Sequence, residues 1–188
     1  MDPRYDVTAL MVLRHFGVPT RLLDWSMSPF VAAYFAACSH DAKDGEIWTF
    51  DEPFYAEKGK EQWGLCRETI DGNGEFRAEL TMFTPTEPEE RCNWFVCGYY
   101  RPGFPRQDVQ EGVYTLTARF GLDHANAIER LLIDPARFRR YLIPPALKAA
   151  VRTRLRKRHG IWPGSLFPDT AGAAETAAAV FENKAARR

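Results

Sequence analysis

The chain lacks an excess of charge of either sign and lacks any long apolar run. Its 188 residues include 25 Lys and Arg against 25 Asp and Glu, so the formal net charge is zero. Such a chain has no global attraction to nucleic acid or to an anionic membrane, so any contact with a nucleotide must be local. The longest apolar run lies near Phe30 to Cys38, far short of the roughly 20 residues that a membrane span requires. We therefore expect no membrane partner.

Metal-binding motifs and common catalytic motifs are also absent. The cysteines (Cys38, Cys66, Cys92 and Cys97) do not follow zinc-ligand spacing and the four histidines are scattered, so we predict no metal site. The sequence contains no Walker loop, no Rossmann glycine fingerprint and no nucleophile elbow. Because the N-terminus carries no secretory signal, we expect reduced thiols and a cytoplasmic protein.

What the sequence does contain is enough apolar material for one domain. Hydrophobic residues make up 45% of the chain and aromatic residues 13%, which suffices for a sizeable core. Interspersed helical and strand patterns predict an α+β fold, a single domain with small mixed or antiparallel sheets flanked by helices. Helices are predicted over residues 5–15, 30–38 and 145–159, with a helical turn at 136–141 and a last helix after Asp169. Strands are predicted over residues 20–25, 46–50 and 111–117. Short helical or strand pieces are expected at 64–70 and 76–83, and a strand or a short helix-strand join at 127–133.

Residues 15–36 combine a turn, a short strand and a helix. Residues 20–25 mix β-branched, aliphatic and aromatic side chains, which is typical of a partly buried strand. Ser26 or Ser28 is expected to cap the following helix, because Pro29 suits a first helical turn.

Polar and aromatic side chains in this segment have both a structural and a functional interpretation. Arg21 and Asp24 place charges in an otherwise buried segment, which indicates either a mutual ion pair or a ligand site. His15 is either a hydrogen-bonded core histidine or a group that orients a ligand. Trp25 either fills the core or stacks on a base or a nicotinamide ring.

A second polar junction precedes the strand that runs from Val113 to Thr117. It contains Gln107, Gln110 and Glu111. Glu111 is the best candidate for an acid, a base or an electrostatic stabiliser, because the neighbouring Gly112 would let a ligand approach the backbone closely. The alternative is that Glu111 is a solvated surface carboxylate.

Basic residues crowd the segment from Arg152 to Arg158. They could contact phosphates, or they could form a solvated helix face at the end of a helix whose dipole favours positive charge.

Three motifs of the chain together resemble the FRG-domain family, which is named for an N-terminal Phe/Tyr-Arg-Gly tripeptide. The first is His15-Phe16-Gly17-Val18-Pro19-Thr20-Arg21-Leu22-Leu23-Asp24-Trp25-Ser26, followed by Ser28-Pro29-Phe30. The second is Gln110-Glu111-Gly112-Val113-Tyr114-Thr115, and the third is Gly160-Ile161 with Leu166-Phe167-Pro168-Asp169. The resemblance extends from about residue 8 to about residue 180, so we expect one FRG-like domain over residues 1–183 and a basic tail at 184–188. The tripeptide itself does not occur, and the chain is expected to begin inside the family's domain.

The resemblance implies an activity. FRG domains are similar to ADP-ribosyltransferases, in which NAD is the co-substrate and a glutamate stabilises an oxocarbenium-like transition state. By that resemblance Glu111 and Gln110 are the catalytic candidates, although the family usually has Gln-Gln at this place. The ligand-binding candidates are His15, Thr20, Arg21, Asp24, Trp25 and Ser26. We predict an NAD-using toxin or phage-defence effector with a protein or nucleic-acid acceptor; the alternative is a non-catalytic module that binds a nucleotide or a nucleic acid.

Overall fold

The computed structural model describes residues 10–20, 22–54, 95–98, 104–117, 123–125 and 136–168. A helix, α1, covers residues 10–15. The elements that follow are β1 (Leu22–Ser26), α2 (Pro29–Cys38), β2 (Gly45–Phe50), β3 (Phe95–Gly98), α3 (Pro105–Val109), β4 (Gly112–Thr117), β5 (Phe138–Ile143), α4 (Pro145–His159) and α5 (Pro163–Leu166).

The described strands form two small sheets. One has the strand order β1-β4-β3, and the other pairs β2 with β5. Strand β3 runs antiparallel to β4, with Phe95 opposite Thr117 and Gly98 opposite Tyr114. Helices and small sheets together confirm the predicted α+β class. Nothing in the described residues tests the predicted domain limits at 183 and 184–188.

The chain divides into two compact units, which are described separately. The first unit comprises Met1–Trp25, Trp48–Pro102 and Val113–Arg139, and the second comprises Ser26–Ile47, Gly103–Gly112 and Arg140–Arg188.

In the second unit, helix α2 begins where its sequence predicts. Ser28 is the N-cap, its hydroxyl accepts a hydrogen bond from the Val31 amide, and Pro29 occupies the first turn. Gly45, which starts β2, lies against this helix so closely that a Cβ there would fall 2.1 Å from the Ala36 carbonyl oxygen. The glycine is therefore required by the contact between strand and helix.

Helix α4 packs against α2 in the same unit. Val31 and Tyr34 of α2 form a core with Leu155 of α4 and Leu166 of α5. Gly160 ends α4 in the left-handed conformation at φ 66°, and its amide donates to the Leu155 carbonyl. The predicted start at Pro145 and stop at Gly160 are both confirmed.

Two cations of α4 hold the C-terminal end of α2. Lys148, only 1% exposed, donates to the carbonyl oxygens of Ser39 and His40. Arg152 donates to the Ala37 carbonyl at 2.7 Å and to the Asp41 carboxylate at 2.6 Å. Cations at this position satisfy carbonyl groups that the helix leaves without intrahelical partners.

In the first unit, an aromatic pair lies at the start of β5, where the sequence predicted a helical turn. Trp48 packs against Phe138 with ring centroids 5.4 Å apart. The helical turn predicted at 136–141 is wrong, because residues 136–137 form a turn and Phe138 begins β5. Pairing with β2, which lies far away in the sequence, determines this segment, and aromatic and branched residues suit such a strand.

The remaining sequence predictions lie outside the described residues. These are the short pieces at 64–70, 76–83 and 127–133 and the last helix after Asp169. In the part of the chain that the structure describes, no helix combines the length and the apolar character needed to cross a bilayer.

Candidate functional site

The end of the first motif meets the start of the second motif inside the second unit. The Ser26 hydroxyl donates to the Gln110 carbonyl at 2.7 Å, and the Met27 amide donates to the Glu111 carbonyl at 3.0 Å. The Ser26 hydroxyl also accepts a hydrogen bond from the Ser28 amide at 3.1 Å. Ser26 therefore fixes the backbone at Gln110 while it supports the turn into helix α2.

The Gln110 side chain extends the junction to the third motif. Its Nε2 donates to the Leu166 carbonyl at 3.0 Å, at the end of α5. Three motifs that are far apart in sequence are thus joined by one serine and one glutamine. The Gln110 side-chain amide therefore has a structural role, because it links the second motif to the third.

Glu111 has an unusual backbone conformation for its residue type. Its φ angle is 47°, in the left-handed region that a residue with a Cβ adopts only at a cost. Hydrogen bonds hold this conformation from both sides, since the Glu111 amide donates to the Asp108 carbonyl at 3.1 Å and its carbonyl accepts from Met27. The side chain is exposed. The turn between α3 and β4 therefore presents a carboxylate from a fixed backbone.

Gly112 is required by local packing. A Cβ at Gly112 would lie 3.0 Å from Cγ of Gln107, so Gln107 fills the position that a side chain would occupy. Gln107 is 5% exposed, and its Nε2 donates to the Gly112 carbonyl at 3.2 Å. The glycine permits this packing under the turn.

In the first unit, Asp24 forms an ion pair that the sequence did not predict. Its Oδ2 accepts from Arg14 at 2.8 Å (Nε) and 2.5 Å (Nη2). The Asp24 side chain is 52% exposed, so the expectation of a buried charge is wrong. Arg21, the expected partner, lies outside the described residues. The i, i+10 separation of Arg14 and Asp24 gives no sequence signal for the pair.

Trp25 anchors a short hydrogen-bond chain in the same unit. Its Nε1 donates to Thr115 Oγ1 at 2.9 Å, and that oxygen lies 2.8 Å from Nδ1 of His124. The indole also packs edge-on against Phe50, with centroids 4.8 Å apart. The structure therefore uses Trp25 in packing as well as in polar contacts. Thr115 and His124 were not among the predicted site residues. Thr115 ends the second motif, whereas no motif of the sequence includes His124.

The other candidates of the first unit have local contacts. Thr20 Oγ1 accepts from the Leu22 amide at 3.2 Å and so supports the start of β1. His15 packs edge-on against Phe16 with centroids 5.2 Å apart. Burial raises the pKa of the neighbouring strand residue Tyr114, Asp24 raises it further, and Arg14 opposes the change.

Comparison with known proteins gives one match to a family model. The family model of the FRG domain matches residues 1–45, which include the whole first motif and helix α2. No curated protein and no solved structure matches the chain. The family prediction is confirmed over the matched residues.

Proposed function

Since residues 1–45 match the family model of the FRG domain, we propose that the protein is an ADP-ribosyltransferase-like enzyme that uses NAD as co-substrate. The observation that supports this most is the junction of Ser26 and Met27 with Gln110 and Glu111. It combines an exposed carboxylate with a backbone that is held in a strained conformation, and such strain is often retained where a side chain has a functional task.

Glu111 is the proposed catalytic carboxylate. Loss of nicotinamide breaks the bond between the ribose C1′ and the ring nitrogen, and positive charge develops on the ribose. A carboxylate beside that charge lowers the barrier, and water or a nucleophile on a protein or nucleic-acid acceptor then forms the new bond to C1′. Gln110 is proposed to position Glu111 through its bond to Leu166, and not to touch the substrate.

The first unit supplies a separate set of side chains that are proposed to bind NAD: His15, Thr20, Arg21, Asp24 and Trp25. Ser26, in the second unit, holds the second motif.

Two substitutions of Trp25 separate its proposed stacking from its hydrogen bond. Trp25→Leu removes the ring, so NAD affinity measured by calorimetry should fall about tenfold. Trp25→Phe keeps a ring but has no N–H donor for Thr115, so it should retain most of that affinity. Melting temperatures establish that both variants are folded. Equal affinities of a folded Trp25→Leu variant and the parent would contradict the stacking role.

The test of the activity is release of nicotinamide from NAD by the purified chain. Glu111→Gln keeps the shape of the side chain and removes its charge, so turnover should fall about 100-fold or more. Glu46→Gln is the matched control, because Glu46 is also exposed and lies in the same unit, where it approaches Arg140 at 3.9 Å. The proposal fails if the parent protein releases no nicotinamide, or if both variants lose activity equally.

A non-catalytic binding module is the second candidate. It is favoured by the number of candidate side chains that already have intramolecular partners, since Asp24 pairs with Arg14 and Gln110 bonds to Leu166. This candidate predicts that NAD or ADP-ribose raises the melting temperature while no nicotinamide is released. Accumulation of any NAD product would exclude it.

A role as a toxin or phage-defence effector that acts in the cytoplasm is a further part of the proposal. Expression of the parent chain should arrest bacterial growth or reduce phage yield, and Glu111→Gln expressed at the same level should not. If both proteins arrest growth or reduce phage yield equally, the biological role does not depend on NAD chemistry at Glu111, and this part of the proposal is wrong.

A further inference from the structure

Helix α4 carries a concentration of positive charge that is unusual for this neutral chain. Between Pro145 and His159 there are six Lys and Arg residues and no Asp or Glu. A helix C-terminus carries only about half a negative charge, so its dipole accounts for a small part of this excess.

Two of the six cations hydrogen-bond to the end of α2, and the other four are exposed to solvent. Lys148 and Arg152 hold the end of α2. The other four are exposed, and among the described residues no carboxylate lies within ion-pair distance of them: Arg154, Arg156, Lys157 and Arg158. By helical spacing Arg154, Lys157 and Arg158 share one side of α4, and Arg156 lies on the other side. Among the described residues, uncompensated positive charge therefore surrounds the exposed end of α4.

Aromatic rings border the same end of the helix. Phe30 of α2 stacks on His159 with centroids 3.9 Å apart and planes at 22°, yet Phe30 remains 45% exposed. The guanidinium of Arg156 lies 5.0 Å from the centroid of the Trp162 ring. The large exposed phenyl ring of Phe30 is not part of the hydrophobic core of the second unit, which consists of other residues.

We propose that this surface binds single-stranded nucleic acid; it is called the α4 surface and consists of Phe30, Arg154, Arg156, Lys157, Arg158, His159 and Trp162. Cations that follow a phosphate backbone, together with rings on which unpaired bases stack, are the combination that recognises single strands. A duplex keeps its bases stacked on each other and could use only the cations. An acidic peptide could likewise use only the cations. The proposal goes beyond NAD chemistry, and the α4 surface shares no residue with the Glu111 junction.

The experiment measures fluorescence anisotropy of labelled oligo(dT) and oligo(rU) with the full chain over a range of salt concentrations. If the four cations neutralise four phosphates, the slope of log K against log salt should be about −3 for a single strand. A duplex of the same length should bind more weakly at every salt concentration. Absence of binding at low salt overturns the proposal, and so does equal or tighter binding of the duplex.

Charge variants test where the strand binds. The first triple variant is Arg154→Gln/Lys157→Gln/Arg158→Gln. Its slope of log K against log salt should change from about −3 to about −1, because three phosphate contacts are lost. The matched control, Lys43→Gln/Arg139→Gln/Arg140→Gln, changes the net charge equally at exposed cations outside the α4 surface and should leave the slope near that of the parent. Equal losses in both triple variants would show that only total charge matters and would overturn the proposal.

An aromatic variant tests base stacking. Phe30→Leu keeps an apolar side chain but removes the ring, so affinity for oligo(dT) should fall about tenfold with little change in slope. Circular dichroism and the melting temperature establish that the variant is folded. An unchanged affinity in the folded variant would contradict stacking and leave a purely electrostatic surface, which overturns the assignment to single strands.

Discussion

Replacement of Lys148 by methionine should destabilise the second unit. Methionine has nearly the same length, so the change leaves no large cavity and mainly removes the ammonium group. Hydrogen bonds to a charged group contribute about 1.5–3 kcal/mol each, and Lys148 makes two, to Ser39 and His40. The gain from no longer burying an ammonium, and the access of water to the exposed residues Ser39 and His40, offset part of this loss. We expect a net loss of about 2 kcal/mol.

Urea unfolding followed by circular dichroism measures this change in the free energy of unfolding. For a chain of this length the melting temperature should fall by about 4–8 °C. Arg154→Met is the control, since it removes an exposed cation from the same helix and should change stability by less than about 0.5 kcal/mol. If Lys148→Met is as stable as the parent, the hydrogen bonds from Lys148 to Ser39 and His40 contribute no net free energy of unfolding, which contradicts the prediction.

Three further predictions follow from packing and from pKa changes. Gly45→Ala should cost about 1–3 kcal/mol in urea unfolding, because its Cβ would collide with the α2 backbone; full stability would contradict that close approach. The raised pKa of Tyr114 means that its contribution to stability is present below its ordinary pKa of 10.0 and is lost as pH rises through the folded value. Absorbance titration against Tyr114→Phe should show its phenolate forming above pH 10.0, and formation at or below that pH would refute the burial. The Arg152 hydrogen bond lowers the pKa of Asp41 below 3.8, so its contribution is present above that pH and is lost as pH falls through the folded value. Asp41→Asn should flatten the acid limb of a stability–pH profile, and an unaltered limb would exclude the pair.

Local signals in the sequence were sufficient for the helix ends. The start of α2 depends on Ser28 and Pro29, and the two ends of α4 depend on Pro145 and Gly160. These residues act through hydrogen bonds and backbone angles that involve only their near neighbours in the sequence. The helical turn predicted over residues 136–141 is wrong because the strand that begins at Phe138 depends on pairing with β2, which is distant in the chain. Strand pairing of this kind leaves only a weak local pattern.

The candidate site could be predicted only in part for the same reason. The segment at Gln110 and Glu111 was identifiable from the sequence as a polar junction, whereas its contact with the Ser26 hydroxyl is visible only in the structure. The left-handed backbone of Glu111 and the packing of Gln107 on Gly112 were not predictable, because they arise from the turn between α3 and β4. The buried position of Lys148 likewise depends on carbonyl groups that are distant in the sequence.

Nicotinamide release from NAD, measured side by side for the parent chain and Glu111→Gln, decides whether Glu111 is a catalytic carboxylate. We expect steady release by the parent, a loss of about 100-fold or more in the variant, and equal melting temperatures for the two proteins. Release that is unchanged by Glu111→Gln, or a folded parent that releases none, would contradict this role of Glu111.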